Sequence, residues 1–204
     1  MTLVCTLDAG HGGASTGVVR GNEGPDRLVE KDYVLELALL LHDRLGSLPG
    51  VIAPLVRHED KDLGLEEAAK IAAEYQPDFA LCLHVNASKE TSARGLMAFH
   101  HPEGDWKAKD AAAAIALHAP GEMRRLHPRA TIATPLEWEA VRNVMAPYVK
   151  RQISCVLVEC GFASNNADRA YLLSPTAKHA LANAIEAGVI EFWRLSEKQA
   201  GSAA

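Results

Sequence analysis

Leu3-Val4-Cys5-Thr6-Leu7-Asp8-Ala9-Gly10-His11-Gly12-Gly13 is the stretch from which the fold can be read outward. Residues 2–8 form a short apolar run that stops at glycine, the pattern of a buried strand leading into a loop. Gly13, Gly17, Gly21, Gly24 and Pro25 extend that loop over 13–29. A helix is expected to start near Glu30, because Val34, Leu37, Ala38, Leu41 and Leu45 repeat at three and four residues and make one apolar stripe. Gly46 and Pro49-Gly50 end it. Val51–Arg57 reads as a second strand, and Leu65, Ala68, Ala69, Ala72 and Tyr75 as the stripe of a second helix. Phe79–Val85 is a third strand, and Gly95–His100 a fourth. Residues 107–118 are alanine-rich and favour helix. The interval 119–135 is broken by Pro120, Gly121, Pro128 and Pro135 and has no single reading. A helix over 136–151, a buried strand Ser154–Glu159, and a last helix capped by Ser174-Pro175 complete the chain; Leu181, Ile185, Val189 and Phe192 should face inward.

Strands alternating with helices predict a sheet sandwiched by helices. The 204 residues suit one domain with a sizeable core. We expect it to span residues 1–196, followed by a frayed tail over 197–204. With 48% apolar and 23% charged residues the composition is that of a soluble globular chain. A net charge of −5 argues against a nucleic-acid partner, which wants a basic face. No run approaches the length of a membrane span, and no basic, apolar leader is visible at Met1. Synthesis in the cytoplasm without a signal peptide, and a monomer, are the expectations. Cys5, Cys82, Cys155 and Cys160 form no Cys-x-x-Cys pair and read as small buried hydrophobes, although Cys82 and Cys155 share strand parity with His84 and Glu159.

Four segments place a chemistry-bearing residue at the end of a strand or the start of a helix: His11 after the first strand, Glu30 opening a helix, His84 in Leu83-His84-Val85-Asn86, and Glu159 in Val158-Glu159-Cys160-Gly161. His11, Glu30 and His84 make a His2Glu set of the kind that holds a catalytic zinc and leaves one position open. Glu159 is then available as an acid/base. Each residue alone has an ordinary reading: a structural histidine among glycines, a carboxylate complementing a helix N-terminus, a satisfied core histidine. Their combination and order carry the inference, because an α/β sheet gathers distant strand ends at one edge.

The same segments resemble the zinc-dependent N-acetylmuramoyl-L-alanine amidases of the family called amidase type 3, over residues 3 to about 193. The family's D-P-G-H-G-G appears as Asp8-Ala9-Gly10-His11-Gly12-Gly13, its E-K-D as Glu30-Lys31-Asp32, and its S-I-H-A-N as Cys82-Leu83-His84-Val85-Asn86. Its L-V-E-x-G-F-x-S-N appears as Leu157-Val158-Glu159-Cys160-Gly161-Phe162-Ala163-Ser164-Asn165. Ala9 stands where proline is usual and Val85 where alanine is usual; altered loop stiffness rather than lost chemistry is expected. The resemblance implies a single three-layer α/β/α domain on a mostly parallel, twisted sheet with helices on both faces. It implies Zn2+ on His11, Glu30 and His84, catalysis by Glu159, and peptidoglycan as substrate, cleaved between N-acetylmuramic acid and L-alanine. It also implies activity without an activator, since residues 86–158 are short for the helical insertion that plugs the zinc site in some members.

Asn86 and Asn165 follow two site residues and are candidates for hydrogen bonds to sugar or peptide, with turn stabilisation as the competing use. His100-His101 are candidates to line the groove, against an ordinary loop role; Trp106, Trp138 and Trp193 are expected to pack. A lone catalytic domain suggests a phage or prophage lysis enzyme acting on the bacterial wall or periplasm. Three other readings stay open: a zinc peptidase acting within the stem peptide, an inactive wall-binding module, and a plain α/β protein in which the four residues are coincidental.

Overall fold

The computed structural model describes residues 2–21, 26–124 and 138–202. Strand β1 (Leu3–Ala9) is followed by two short strands, β2 (Val19–Arg20) and β3 (Leu28–Val29), then by α1 (Glu30–Gly46) and β4 (Val51–Ile52). Next come α2 (Leu65–Glu74), β5 (Phe79–Asn86), β6 (Met97–His100) and α3 (Trp106–Leu117). The chain closes with α4 (Trp138–Lys150), β7 (Cys155–Phe162), α5 (Asn166–Leu172) and α6 (Ala177–Ser202).

Five strands form one sheet in the order β4-β1-β5-β7-β6. Pairings β1–β4, β1–β5 and β5–β7 are parallel, and β6 adds antiparallel to the β7 edge. Side chains alternate across the pleat and so serve two cores. Leu81, Leu83, Val85, Val156 and Val158 face the stripes of α1, α3 and α6. Ala80, Cys82, Cys155 and Leu157 face α2 and α4, meeting Ala69, Ala72, Met145 and Tyr148. This is the expected three-layer α/β/α domain. Leu181, Ile185, Val189 and Phe192 of α6 are all buried, as their spacing predicts.

Five local expectations change. The strand read over Val51–Arg57 is regular only at Val51–Ile52, with one further bridge from Leu55 to Leu7. Pro54 has no N–H to donate and sits on this edge. The loop 13–29 contains the antiparallel pair β2–β3. Strand β7 runs on past Glu159 to Phe162, so Glu159 lies inside it and does not close it. Helix α5 has no counterpart in the sequence reading; its seven residues are too few for an apolar stripe, and only its cap is legible. Helix α6 continues to Ser202, into the segment read as a tail. Of the interval 119–135, a 3₁₀ turn at Gly121–Met123 is defined, while residues 125–137, with His127, lie outside the described residues.

Asp8 is buried on the α2/α4 face, where it accepts a 2.6 Å hydrogen bond from the Tyr148 hydroxyl. The Cys82 thiol approaches the same carboxylate oxygen at 3.7 Å. Removing the hydroxyl leaves a buried carboxylate short of a donor, at a cost of about 1–3 kcal/mol. Tyr148→Phe should therefore lower the urea unfolding midpoint at unchanged m-value; an unmoved midpoint would show that the bond contributes nothing net.

Candidate metal centre

The glycine-rich turn after β1 delivers the first donor. Gly10 N–H still donates to the Leu83 carbonyl of β5, and His11 then turns into the left-handed region at φ 63°. That conformation is uncommon for a non-glycine residue and clusters at functional sites. His11 Nδ1 lies 3.1 Å from Ser15 Oγ, which leaves Nε2 facing the Glu30 carboxylate at 3.3 Å. Glu30 is the first residue of α1 and is almost wholly buried. Its Oε2 accepts from Val18 N–H at 2.7 Å and its Oε1 from Val85 N–H at 2.9 Å. His84, near the end of β5, brings Nδ1 to 3.0 Å from the same Oε1. The two imidazoles meet edge to face, with ring centroids 5.1 Å apart.

One donor atom from each of His11, Glu30 and His84 lies within 4.8 Å of the others. Two neutral nitrogens and one carboxylate oxygen suit a borderline divalent cation such as zinc. The surroundings are shaped to this cluster. Gly17 has φ 64°, and a Cβ there would strike Glu30 Oε2 and stand 2.6 Å from His11 Cδ2. A Cβ at Gly10 would likewise run into the His84 ring. Both glycines are therefore required by close approach, and the residues present fit a bound metal.

Electrostatics point the same way. Burial works against an ionised Glu30, yet the hydrogen bonds and charge of His11 and His84 outweigh it and hold the carboxyl well below the usual carboxylate range. Burial also opposes a charged His84, but Glu30 and Glu159 raise its pKa above the ordinary imidazole value. Each partner is thus biased toward an ion pair that a cation would replace.

Glu159 joins the cluster through sheet register. It is the direct β7 partner of His84, so both side chains leave the same face of neighbouring parallel strands. It is partly exposed, on a cavity of about 340 Å³ lined also by His11, Glu30, His84 and Asn86. A second cavity of about 330 Å³, toward α2, shares His11, His84, Ala140 and Val144 with the first. The cluster therefore sits on a continuous groove walled by α4.

The structure brings His11, Glu30, His84, Glu159 and Asn86 together. Asn165 lies apart: its Oδ1 caps α5 by accepting from Ala167 and Asp168 N–H, and its Nδ2 donates to Thr91 O. It lines a different cavity, with Thr91 and Arg94. His100 and His101 are buried, and His100 pairs with Val156, lower on β7 than Glu159, so β6 carries them away from the groove. Trp106 lies on α3, tilted against Phe192 on the opposite face of the sheet. Cys82 and Cys155 sit 3.5 Å apart, deeper in the α2/α4 face, and among the described residues no thiol joins the metal cluster. The sequence reading did not single out Ser15, Gly17, the Val18 and Val85 amides or the α4 wall. Of these, glycine density between Gly10 and Gly24 was the one available signal.

Fold and cluster together define an α/β protein with a candidate single-metal centre on its sheet edge. The chain belongs to the N-acetylmuramoyl-L-alanine amidase family Amidase_3, whose profile matches residues 5–191. It is 25% identical over 189 residues to the N-acetylmuramoyl-L-alanine amidase LytC of Bacillus subtilis, covering 92% of this chain and 35% of LytC. It is 22% identical to the probable amidase AmiB of Haemophilus influenzae, covering 93% of this chain and 52% of AmiB. The chain thus spans about a third to a half of these relatives. Its fold matches the catalytic domain of CwlV, an amidase of Paenibacillus polymyxa, with TM-score 0.76 at 23% identity over 95% of this chain and 99% of that one. An amidase from Clostridium difficile 630 matches with TM-score 0.79 at 20% identity over 95% and 97%. No helix among the described residues is long and apolar enough to cross a membrane.

Metal binding requires neutral imidazoles, so protons compete for the site. His84's pKa is raised above its ordinary 6.5, which moves that competition upward. Zinc affinity of the purified protein should fall as pH drops from above 6.5, and Glu30, already ionised, should add nothing there. Affinity flat across this range, measured by chelator competition, would contradict the arrangement.

Proposed function

We propose that this protein is a zinc-dependent peptidoglycan hydrolase that cleaves the amide between the lactoyl group of N-acetylmuramic acid and L-alanine. The observation that carries this reading is the register pairing of Glu159 with His84, which puts one carboxylate outside the three-donor set yet on the same cavity. Family membership supports the bond assigned. Zn2+ on His11, Glu30 and His84 would supply Lewis acidity toward the scissile carbonyl and lower the pKa of a water.

The chain's own residues then divide the work. Main-chain amides hold Glu30, the Ser15 hydroxyl meets His11, and Glu30 itself meets His84. Ser15 Oγ engages His11 Nδ1 and so orients the ring with Nε2 toward Glu30. Glu159 takes a proton from the attacking water and returns it to the departing L-alanine amine. Its partial exposure lets it reach both, and the groove on either side offers room for glycan and stem peptide. Asn86, on the Glu159 cavity, is positioned to hydrogen-bond one of them. A lytic role in phage or prophage release is the cellular setting we propose, with the chain acting on the wall as a monomer.

Digestion of purified peptidoglycan, with products read by mass spectrometry, tests the chemistry. The wild type should release stem peptides that begin with L-alanine. Glu159→Ala should keep its zinc and lose at least about 10²–10⁴-fold in rate, the usual weight of a general acid/base. Cleavage within the peptide would move the scissile bond and favour a peptidase. Wall binding without cleavage by zinc-loaded protein would favour the binding module.

A further inference from the structure

We propose that the loop after β4, residues 57–61, is a clamp that sets the spacing of His11 and Glu30 before metal arrives, with Arg57 and Asp60 as its positioning residues; this rests on the metal centre above. Arg57 is 3% exposed, and its guanidinium donates to four main-chain carbonyls. Nε donates to Ala9 O at 2.7 Å, and Nη2 to Gly10 O and Lys31 O at 3.0 Å each. Nη1 closes the loop on itself through Glu59 O at 3.0 Å. Ala9 and Gly10 lead into His11, and Lys31 follows Glu30. One guanidinium therefore ties both donor-bearing segments together.

Asp60 repeats the connection from outside. Its Oδ1 accepts from Gly13 N–H at 2.7 Å and its Oδ2 from Lys31 Nζ at 2.6 Å, while Lys31 Nζ also donates to Gly13 O at 2.9 Å. Residues on both sides of His11 and the residue after Glu30 are thus fixed to one loop. The need is physical. Glycine-rich backbone between Gly10 and Gly13 is conformationally free when unrestrained, and that freedom would have to be given up on metal binding. A planar fork with several donors can hold separate carbonyls at once, which a lysine ammonium cannot copy. A buried cation is also a poor choice for packing alone, since an apolar side chain of similar volume is often as stable or better.

The test is zinc affinity by chelator competition, with melting temperature measured on the same samples. Arg57→Lys and Arg57→Gln should weaken zinc about 10–100-fold, the range seen when partners of metal ligands are removed. Asp60→Ala, at an exposed position, should weaken it by a smaller factor and still fold. Leu45→Ala, a cavity variant at the far end of α1, is the stability control: it should lower the melting temperature and leave zinc affinity unchanged. Wild-type affinity in the Arg57 and Asp60 variants would overturn the clamp, as would an equal loss in Leu45→Ala. If the Arg57 variants do not fold, Asp60→Ala decides alone. A wild type that binds no zinc would overturn the metal centre, and the clamp with it.

Discussion

The Glu30 carboxylate is the constraint on which the rest of this structure depends. It is buried, ionised and shared: two main-chain amides hold its oxygens, and two imidazoles approach one of them. A carboxylate in such a position is costly unless fully satisfied. Its satisfaction requires α1 to begin where β3 ends, the hairpin β2–β3 to follow Val18, and β5 to present the Val85 amide near its end. A single side chain therefore ties together the loop after β1, the first helix and the middle strand of the sheet.

Parallel pairing does the remaining assembly. In a parallel sheet the strand ends with the same chemistry collect along one edge, and the loops beyond them carry function. Here β1, β5 and β7 deliver His11, His84 and Glu159 in that way. The register sets Glu159 directly against His84, and the pleat sends both toward α4, where the groove lies. The opposite pleat positions, Val85 and Val158, go into the core beneath α1, α3 and α6. A slip of one residue between β5 and β7 would bury the carboxylate in that core and point a valine at the metal.

Much of this was legible in the chain. His11, Glu30, His84 and Glu159 each follow or open a periodic segment, and their order matched a family pattern that the profile match to residues 5–191 supports. The long elements were also clear, because α1 and α6 repeat at helical spacing and β5 and β7 open with apolar runs. Short elements were not. The strands β2 and β3 have two residues each, and α5 is announced by little more than the Asn165 cap, so neither builds a period. Asn165 itself shows the limit: next to a site segment in sequence, it spends its side chain on a helix cap and the Thr91 carbonyl. His100 and His101 stand at the end of a strand much as His84 does, but that strand is antiparallel and points the other way.

By itself the sequence determined the donor types, the order in which they occur and the layering of helices on a sheet, since these follow from residue chemistry and from local periods of two and near four. Tertiary structure alone decided which donors meet. Glu30 reaches His84 because a helix start packs against a strand end, and Arg57 reaches both donor segments from a loop that carries no motif. Those meetings depend on strand order, register and the direction of β6. They are properties of pairing between distant segments, and no local pattern records them.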